Sequence, residues 1–347
     1  MKEAIVHPGT HVEIINSPVP QPKENQILIK VIYSGSNPKD WKRPDWFQEA
    51  HNSGDDIAGI IQELGRGVVG YQVGDRVAAL HEMQTLGGSY AEYALSWDYA
   101  TFHLPDHTSF AEAATIPLAA MTAALGLYQR MRLPPPWNPA THSIPLIIYG
   151  GAGAVGSFAI KLAQKSNLHP LIVVAGNSQE YVESLISREK GDTIVDYRDG
   201  DEAVVAGIQR ALRETGSGSA EARYAYDAIT EHNSWRNLSR VLGKDSQLCL
   251  VLPQLDFSSV PKYIETHQSA VASIFKRADA LTGGHENTDA GFVYFQLFAR
   301  ALGDGWFTGH PYQVVAGGLN GVERGLLDLR AGKNKASKYI FKIAHEI

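Results

Sequence analysis

The sequence predicts an α/β protein in two parts, an antiparallel barrel-like unit followed by a doubly wound parallel sheet. Three observations carry this. Before Phe110 the chain is a series of short apolar or alternating runs broken by Gly and Pro. From Leu146 onward, short and almost wholly apolar runs alternate with helical segments, the pattern of strands buried on both faces. The last run, SKYIFKI, alternates like the first part, so the tail is expected to return there.

MKEAIVHPGTHVEI reads as a strand pair around Pro8-Gly9, and QILIKVIYSGS, DDIAGIIQEL, GDRVAAL and GGSYAEYAL read as further strands. FAEAATIPLAAMTAALGLYQRM is Ala- and Leu-rich with helical period, and LPPPWNPATHSIP is a connector because Pro interrupts any helix. PLIIYGG, HPLIVVAG, DTIVDY, ARYAYDA and SQLCLVLP are the buried strands. Helical segments fall at Ser157–Ser166, Glu180–Glu189, Glu202–Glu214 and Ser234–Val241. SAVASIFKRA reads as one more strand, with an edge that can pair with a second copy, and FVYFQLFARAL as a late helix. The expected division is residues 1–118 completed by 305–347, with 119–304 between.

Across 347 residues, 37 acidic side chains stand against 31 basic ones, a formal charge of −6. That balance argues against a nucleic-acid surface, which needs clustered Lys and Arg. No run approaches the ~18 apolar residues of a membrane helix, and the start has no signal-peptide core, so a cytoplasmic protein is expected. The lone Cys249 lies in LCLVL, where a buried strand thiol is the plain reading.

Gly151-Ala152-Gly153-Ala154-Val155-Gly156 is a GxGxxG motif between the strand LIIY and the helix SFAIKLAQKS. In that setting the first glycine allows the turn, the second admits a pyrophosphate and the third permits close helix–strand contact. An NAD site would carry an acid about 20 residues on. Here the second strand ends Ala175-Gly176-Asn177-Ser178-Gln179, and no acid precedes Glu180. A neutral loop leaves room for a 2′-phosphate, so NADPH is the expected cofactor. Asn177 with Glu180 also fits a helix capping box.

No metal is expected. A catalytic zinc needs three or four His, Cys or carboxylate ligands. His51, His81 and His103 read as isolated surface histidines.

Together GDDIAGIIQELGRGVVGYQVGDRV, GGSYAEYAL, AATIPLAAMTAA, YGGAGAVGSFAIKLAQ, VDYRD and GLNGVERGLLDLRAGK…SKYIFKI resemble the medium-chain dehydrogenase/reductase superfamily across almost the whole chain. SNPKDWK and the Pro-rich insert resemble its fungal branch of quinone-oxidoreductase-like proteins and trans-acting enoyl reductases of polyketide pathways. The resemblance implies a GroES-like catalytic domain, completed by the tail, and a Rossmann nucleotide domain. Zinc alcohol dehydrogenases of the superfamily carry Cys where this chain has Asn37, and Gly-His-Glu where it has Ser53-Gly54-Asp55, which points to the zinc-free members.

By the same resemblance, Thr122 lies beside the nicotinamide ribose, Ala152 to Val155 wrap the pyrophosphate, and Asn177 and Ser178 face the 2′-phosphate. Tyr197 packs near that phosphate and Ile274 near the nicotinamide. Thr122 and Ile274 also read as core residues, and Tyr197 as a strand-end aromatic. Quinone reductases often place Lys near Glu180, a departure that would reduce 2′-phosphate affinity.

The implied activity is NADPH-dependent hydride transfer to an electron-poor C=C bond of a small-molecule substrate, carrier- or CoA-bound forms included. The alternatives are a quinone or carbonyl reductase and a non-catalytic NADPH-binding sensor. An enolate intermediate needs a donor, and Asn37 and Lys42 are those expected, with Asp40 positioning Lys42 or bonding the cofactor. A solvated Lys42 and a turn-forming Asp40 are the alternative. The substrate pocket is expected between the domains, lined by parts of Trp41–Phe47, Pro134–His142 and Ser258–Thr282. A monomer and a homodimer are both open.

Overall fold

The structure, a computed structural model, describes residues 1–217, 219–252, 256–275 and 287–345. The chain forms two units, Met1–Met121 with Ala272–Ile347, and Thr122–Val271.

The first unit opens with an antiparallel pair, β1 (Lys2–Val6) and β2 (Val12–Asn16), turned at Gly9 with φ +80°. Its main sheet begins with β3 (Gln26–Gly35), β4 (Asp56–Leu64), β5 (Arg76–Leu80), β6 (Tyr93–Trp97) and β7 (Thr101–His103). The β3–β4 register shifts between Leu28 and Ile29 and again between Val31 and Tyr33, irregularities that bend the long strand. Helix α1 (Lys39–Phe47) follows β3, α2 (Phe110–Ala113) is capped by Ser109 accepting from the Glu112 amide, and α3 (Pro117–Ala124) comes next. Ile27, Ile29, Val31, Ile57, Val77 and Ala94 form one apolar core of this sheet.

The second unit is the expected parallel sheet. Strands β8 (Leu146–Tyr149), β9 (Leu171–Ala175), β10 (Thr193–Asp196), β11 (Ala222–Asp227), β12 (Leu242–Leu250) and β13 (Ile264–Gln268) lie in the order β10-β9-β8-β11-β12-β13, every pair parallel. The connecting helices are α4 (Ala154–Lys165), α5 (Gln179–Glu183), α6 (Asp201–Leu212) and α7 (Ser234–Ser239). Ile147, Ile172, Val174, Ile208, Leu238 and Leu248 are buried together, which is why these strands read as continuous apolar runs. Cys249 is wholly buried in β12, and burial pushes its thiol up to about 12.

The chain then returns to the first unit. Helix α8 (Thr288–Gly303) packs Phe295 against Phe102 at 5.5 Å between ring centres. Strand β14 (Tyr312–Val315), helix α9 (Val322–Arg330) and β15 (Lys338–Lys342) follow, and β15 pairs antiparallel with β3. The main sheet thus runs β14-β15-β3-β4-β5-β7, with β6 also on β3.

One expected strand does not form. Within SAVASIFKRA, Val271–Ile274 is a 3-10 turn, and the residues after Phe275 lie outside the described ones. The sheet edge on that side is β13, whose sequence IETHQ alternates poorly and carries charge, and the other edge is β10. No described helix is long and apolar enough to cross a membrane.

Candidate active site

In the second unit, the GxGxxG motif joins β8 to α4. The positive φ of the turn, +83°, belongs to Gly150, one residue ahead of the expected position. Gly151 is required for another reason: a Cβ there would stand 2.1 Å from Val173 Cγ1. At Gly156 a Cβ would stand 2.2 Å from the Gly150 carbonyl oxygen, the close helix–strand contact expected of the third glycine. Gly153 is exposed, and a Cβ there would meet only the Gly150 oxygen at 3.5 Å. The fold would therefore tolerate a side chain at Gly153. What its absence leaves is open backbone at the N-cap of α4, which has no side-chain cap. The first-turn amides of Ala154, Val155 and Gly156 have no preceding turn to bond, the condition under which a helix start binds an anion. These residues fit a dinucleotide pyrophosphate.

Beyond β9, Ser178 is the N-cap of α5 and makes no side-chain cap bond, so the Asn177–Glu180 capping box does not form. The Asn177 side-chain oxygen instead accepts from Arg198 Nη1 at 2.7 Å. The Tyr197 ring lies on the backbone of Gly176, where a Cβ would be 2.5 Å from Cε1, yet 48% of the residue is exposed. Asn177, Ser178 and Tyr197 are thus brought to one rim of the sheet, joined by Arg198, which the sequence reading had passed over. The signal was VDYRD itself: an Arg next to the expected Tyr.

Thr122, also in this unit, is buried, and its carbonyl accepts from Tyr226 Oη at 2.9 Å and from Ser269 Oγ at 2.5 Å. Ile274 belongs to the other unit and is wholly buried against Gly291 of α8, as its core reading has it. Parts of the Pro134–His142 insert are expected to line the substrate pocket. Its last two residues, Thr141 and His142, line a cavity of about 570 Å³ with Asn167, His169, Lys190 and Thr193. That cavity sits at the amino ends of β9 and β10, the opposite end of the sheet from the glycine loop.

In the first unit, the Asn37–Lys42 segment starts α1 inside a buried polar cluster. Asn37 is buried, and its amide is committed: Nδ2 donates to Asp56 Oδ2 at 2.7 Å and Oδ1 accepts from Lys338 Nζ at 3.1 Å. Lys338 also meets Asp56 Oδ2 at 2.5 Å. Asn37, expected as a donor to substrate, is here placed where it helps hold β3, β4 and β15 together.

Asp40 is wholly buried, which leaves it no surface for a cofactor, while its amide donates to the Asn37 carbonyl at 2.9 Å in the turn that starts α1. It accepts from the Asn37 backbone N–H at 2.7 Å and from Tyr90 Oη at 2.6 Å, and pairs with Lys39 Nζ at 2.6 Å. Burial, only partly offset by Lys39, pushes its carboxyl up to about 6. Lys39 also pairs with Asp55 and donates to the Ser53 carbonyl at 2.6 Å. Burial works against its charge, but Asp40 and Asp55 prevail and hold the ammonium above its usual range. Asp55 accepts on its other oxygen from His81 Nδ1 at 2.9 Å. Despite its burial, Lys39 and His81 keep that carboxylate below its ordinary value. His81 is 1% exposed, so the surface reading of this histidine was wrong. Among the described residues no group of three or more His, Cys, Asp or Glu is arranged to hold a metal.

Lys42 is 6% exposed, not solvated. Its Nζ lies 5.4 Å from the Trp41 ring centre, and the Arg330 guanidinium lies 5.1 Å from the same ring. Trp46 and Phe47, at the end of α1, are 40% and 41% exposed.

Residues 23–106 match the family described as the alcohol dehydrogenase GroES-like domain. The trans-enoyl reductase fsr4 of Gibberella fujikuroi is 44% identical over 326 residues, covering 92% of each chain. Among solved structures, the CurK enoyl reductase superposes with a TM-score of 0.76 at 17% identity, covering 98% of both chains. The quinone oxidoreductase of Coxiella burnetii superposes with a TM-score of 0.75 at 20% identity over 99% of both, and these two likenesses speak to fold alone. The identity and coverage shared with the Gibberella enzyme establish that the chain belongs to the trans-enoyl reductase family of the medium-chain dehydrogenase/reductase superfamily.

Proposed function

We propose that this chain reduces the C=C bond of an enone or enoyl thioester with NADPH, without a metal, as a cytoplasmic enzyme. The observation that carries the reading is the 44% identity to a trans-enoyl reductase over 92% of each chain, joined to a glycine loop whose geometry suits a pyrophosphate. The single, buried, unpaired cysteine accords with a reducing compartment.

Gly151 to Gly156 would hold the pyrophosphate, and Asn177, Ser178 and Tyr197 the adenosine end. Bound there, NADPH supplies a hydride for the β-carbon of the substrate. Negative charge then develops on the substrate carbonyl oxygen, and a preorganised donor stabilises that state by ~3 kcal/mol. We assign this donor to Lys42, the cation of α1 set against Trp41. Lys39 is already held by Asp40 and Asp55, which suits it to fixing α1 in place. That same ammonium supports a metal-free reading, since it occupies the carboxylates a cation would need.

The test is NADPH oxidation over a panel of enones, enoyl thioesters and quinones. Turnover on the first two supports the reading. Turnover on quinones alone makes the chain a quinone reductase, and none on any makes it a cofactor-binding protein.

A further inference from the structure

We propose that Arg198 is the residue that reads the 2′-phosphate of the cofactor, and that Asp196 competes with the phosphate for it. The inference rests on the NADPH reading above.

Arg198 reaches the loop after β9 from the turn after β10. Its Nε donates to Asp196 Oδ1 at 2.9 Å, its Nη2 to Asp196 Oδ2 at 2.5 Å, and its Nη1 to Asn177 Oδ1 at 2.7 Å. The side chain is half exposed, so the guanidinium stands at the surface beside the residues expected around the phosphate. Its planar fork of donors matches a phosphate as well as it matches a carboxylate. A phosphate monoester carries a charge of about −1.5 to −2 at pH 7 against −1 for a carboxylate, so it draws the guanidinium more strongly.

Asp196 does not depend on Arg198 for its place. Its carboxylate also accepts from Gln179 Nε2 at 2.7 Å and from the Arg198 backbone amide at 2.9 Å, where it caps the Tyr197–Asp199 turn. When the guanidinium turns to the phosphate, Asp196 remains as a nearby negative charge, with Asp199 and Glu180 on the adjoining turn and helix. Each of these opposes the phosphate. The preference for NADPH is therefore set by one arginine working against a fixed carboxylate, and relieving that carboxylate strengthens it.

Equilibrium dissociation constants for NADPH and NADH, measured by calorimetry on wild type, Arg198→Ala and Asp196→Asn, test this without turnover. Asparagine keeps the capping role, so Asp196→Asn preserves the turn. Arg198→Ala is expected to weaken NADPH by about 10- to 100-fold, the size of a charged hydrogen bond, and to leave NADH within about 2-fold. Asp196→Asn is expected to tighten NADPH several-fold and leave NADH unchanged. A wild-type preference for NADPH that survives Arg198→Ala overturns the proposal and leaves the cofactor reading standing. Unchanged or weaker NADPH binding in Asp196→Asn overturns the competition. Equal affinities in wild type overturn the cofactor reading and the proposal with it.

Discussion

Lys338, on the last strand, donates to the Asn37 side-chain oxygen at 3.1 Å across 301 residues of sequence. The same ammonium pairs with Asp56, whose other oxygen accepts from the Leu118 amide at 2.7 Å. One buried lysine thus ties the chain's return segment to β3, β4 and the start of α3.

Lys338→Met should unfold more easily for that reason. Removing one member of a buried ion pair leaves Asp56 uncompensated, a loss of ~3–5 kcal/mol. Urea midpoints measure it. A variant as stable as wild type would mean that Asn37 and the Leu118 amide satisfy Asp56 unaided.

Gly153→Asp should bind NADPH ~100-fold or more weakly while its melting temperature stays near wild type, because the added Cβ meets only one oxygen at ordinary distance. Gly156→Ala is the contrasting variant: its Cβ would collide with the Gly150 carbonyl, and stability should fall. Wild-type affinity in Gly153→Asp would place the phosphates elsewhere.

This contrast shows what the sequence could and could not tell. The motif and its flanking apolar strands were legible because strands buried on both faces leave continuous hydrophobic runs. Gly150 was not, since which glycine takes positive φ depends on where the strand ends. SAVASIF was read as a strand and is a turn, because a short apolar run has no period of its own. The edge strand IETHQ was missed for the converse reason: an edge needs no hydrophobic pattern. Asn37, Asp40 and Asp55 could be picked out as polar positions, but their partners Lys338, Tyr90 and His81 come from distant strands and loops, and no local spacing announces such pairings. Arg198 needed the register of β9 against β10 to bring it to Asn177.

Asp227, at the end of β11, gives a pH dependence. It accepts from the Ile229 and Thr230 amides and from Ser234 Oγ, but burial outweighs these and pushes its carboxyl from 3.8 up to about 6. A carboxyl raised on folding favours the folded state when protonated, so its contribution is largest below pH 3.8 and is lost as pH rises to 6. Ionisation at neutral pH then costs ~3 kcal/mol. Asp227→Asn should gain stability relative to wild type between pH 4 and pH 7. A stability difference that does not change over that range would contradict the burial argument.

Lys42→Met should lower kcat by ~100-fold with NADPH affinity nearly unchanged, because the donor acts on charge that develops only during reduction. The pair kcat and NADPH Kd checks it. Equal losses in both would make Lys42 part of cofactor binding instead.

The most direct test of the central claim follows the hydride. The purified chain is incubated in EDTA with an enoyl thioester or enone and NADPH deuterated at either face of C4, and the product is analysed by mass spectrometry. The account predicts a saturated carbonyl product carrying one deuterium at the β-carbon, from one face of the cofactor only. A substrate left unsaturated while NADPH is consumed, or reduction abolished by EDTA, would contradict it.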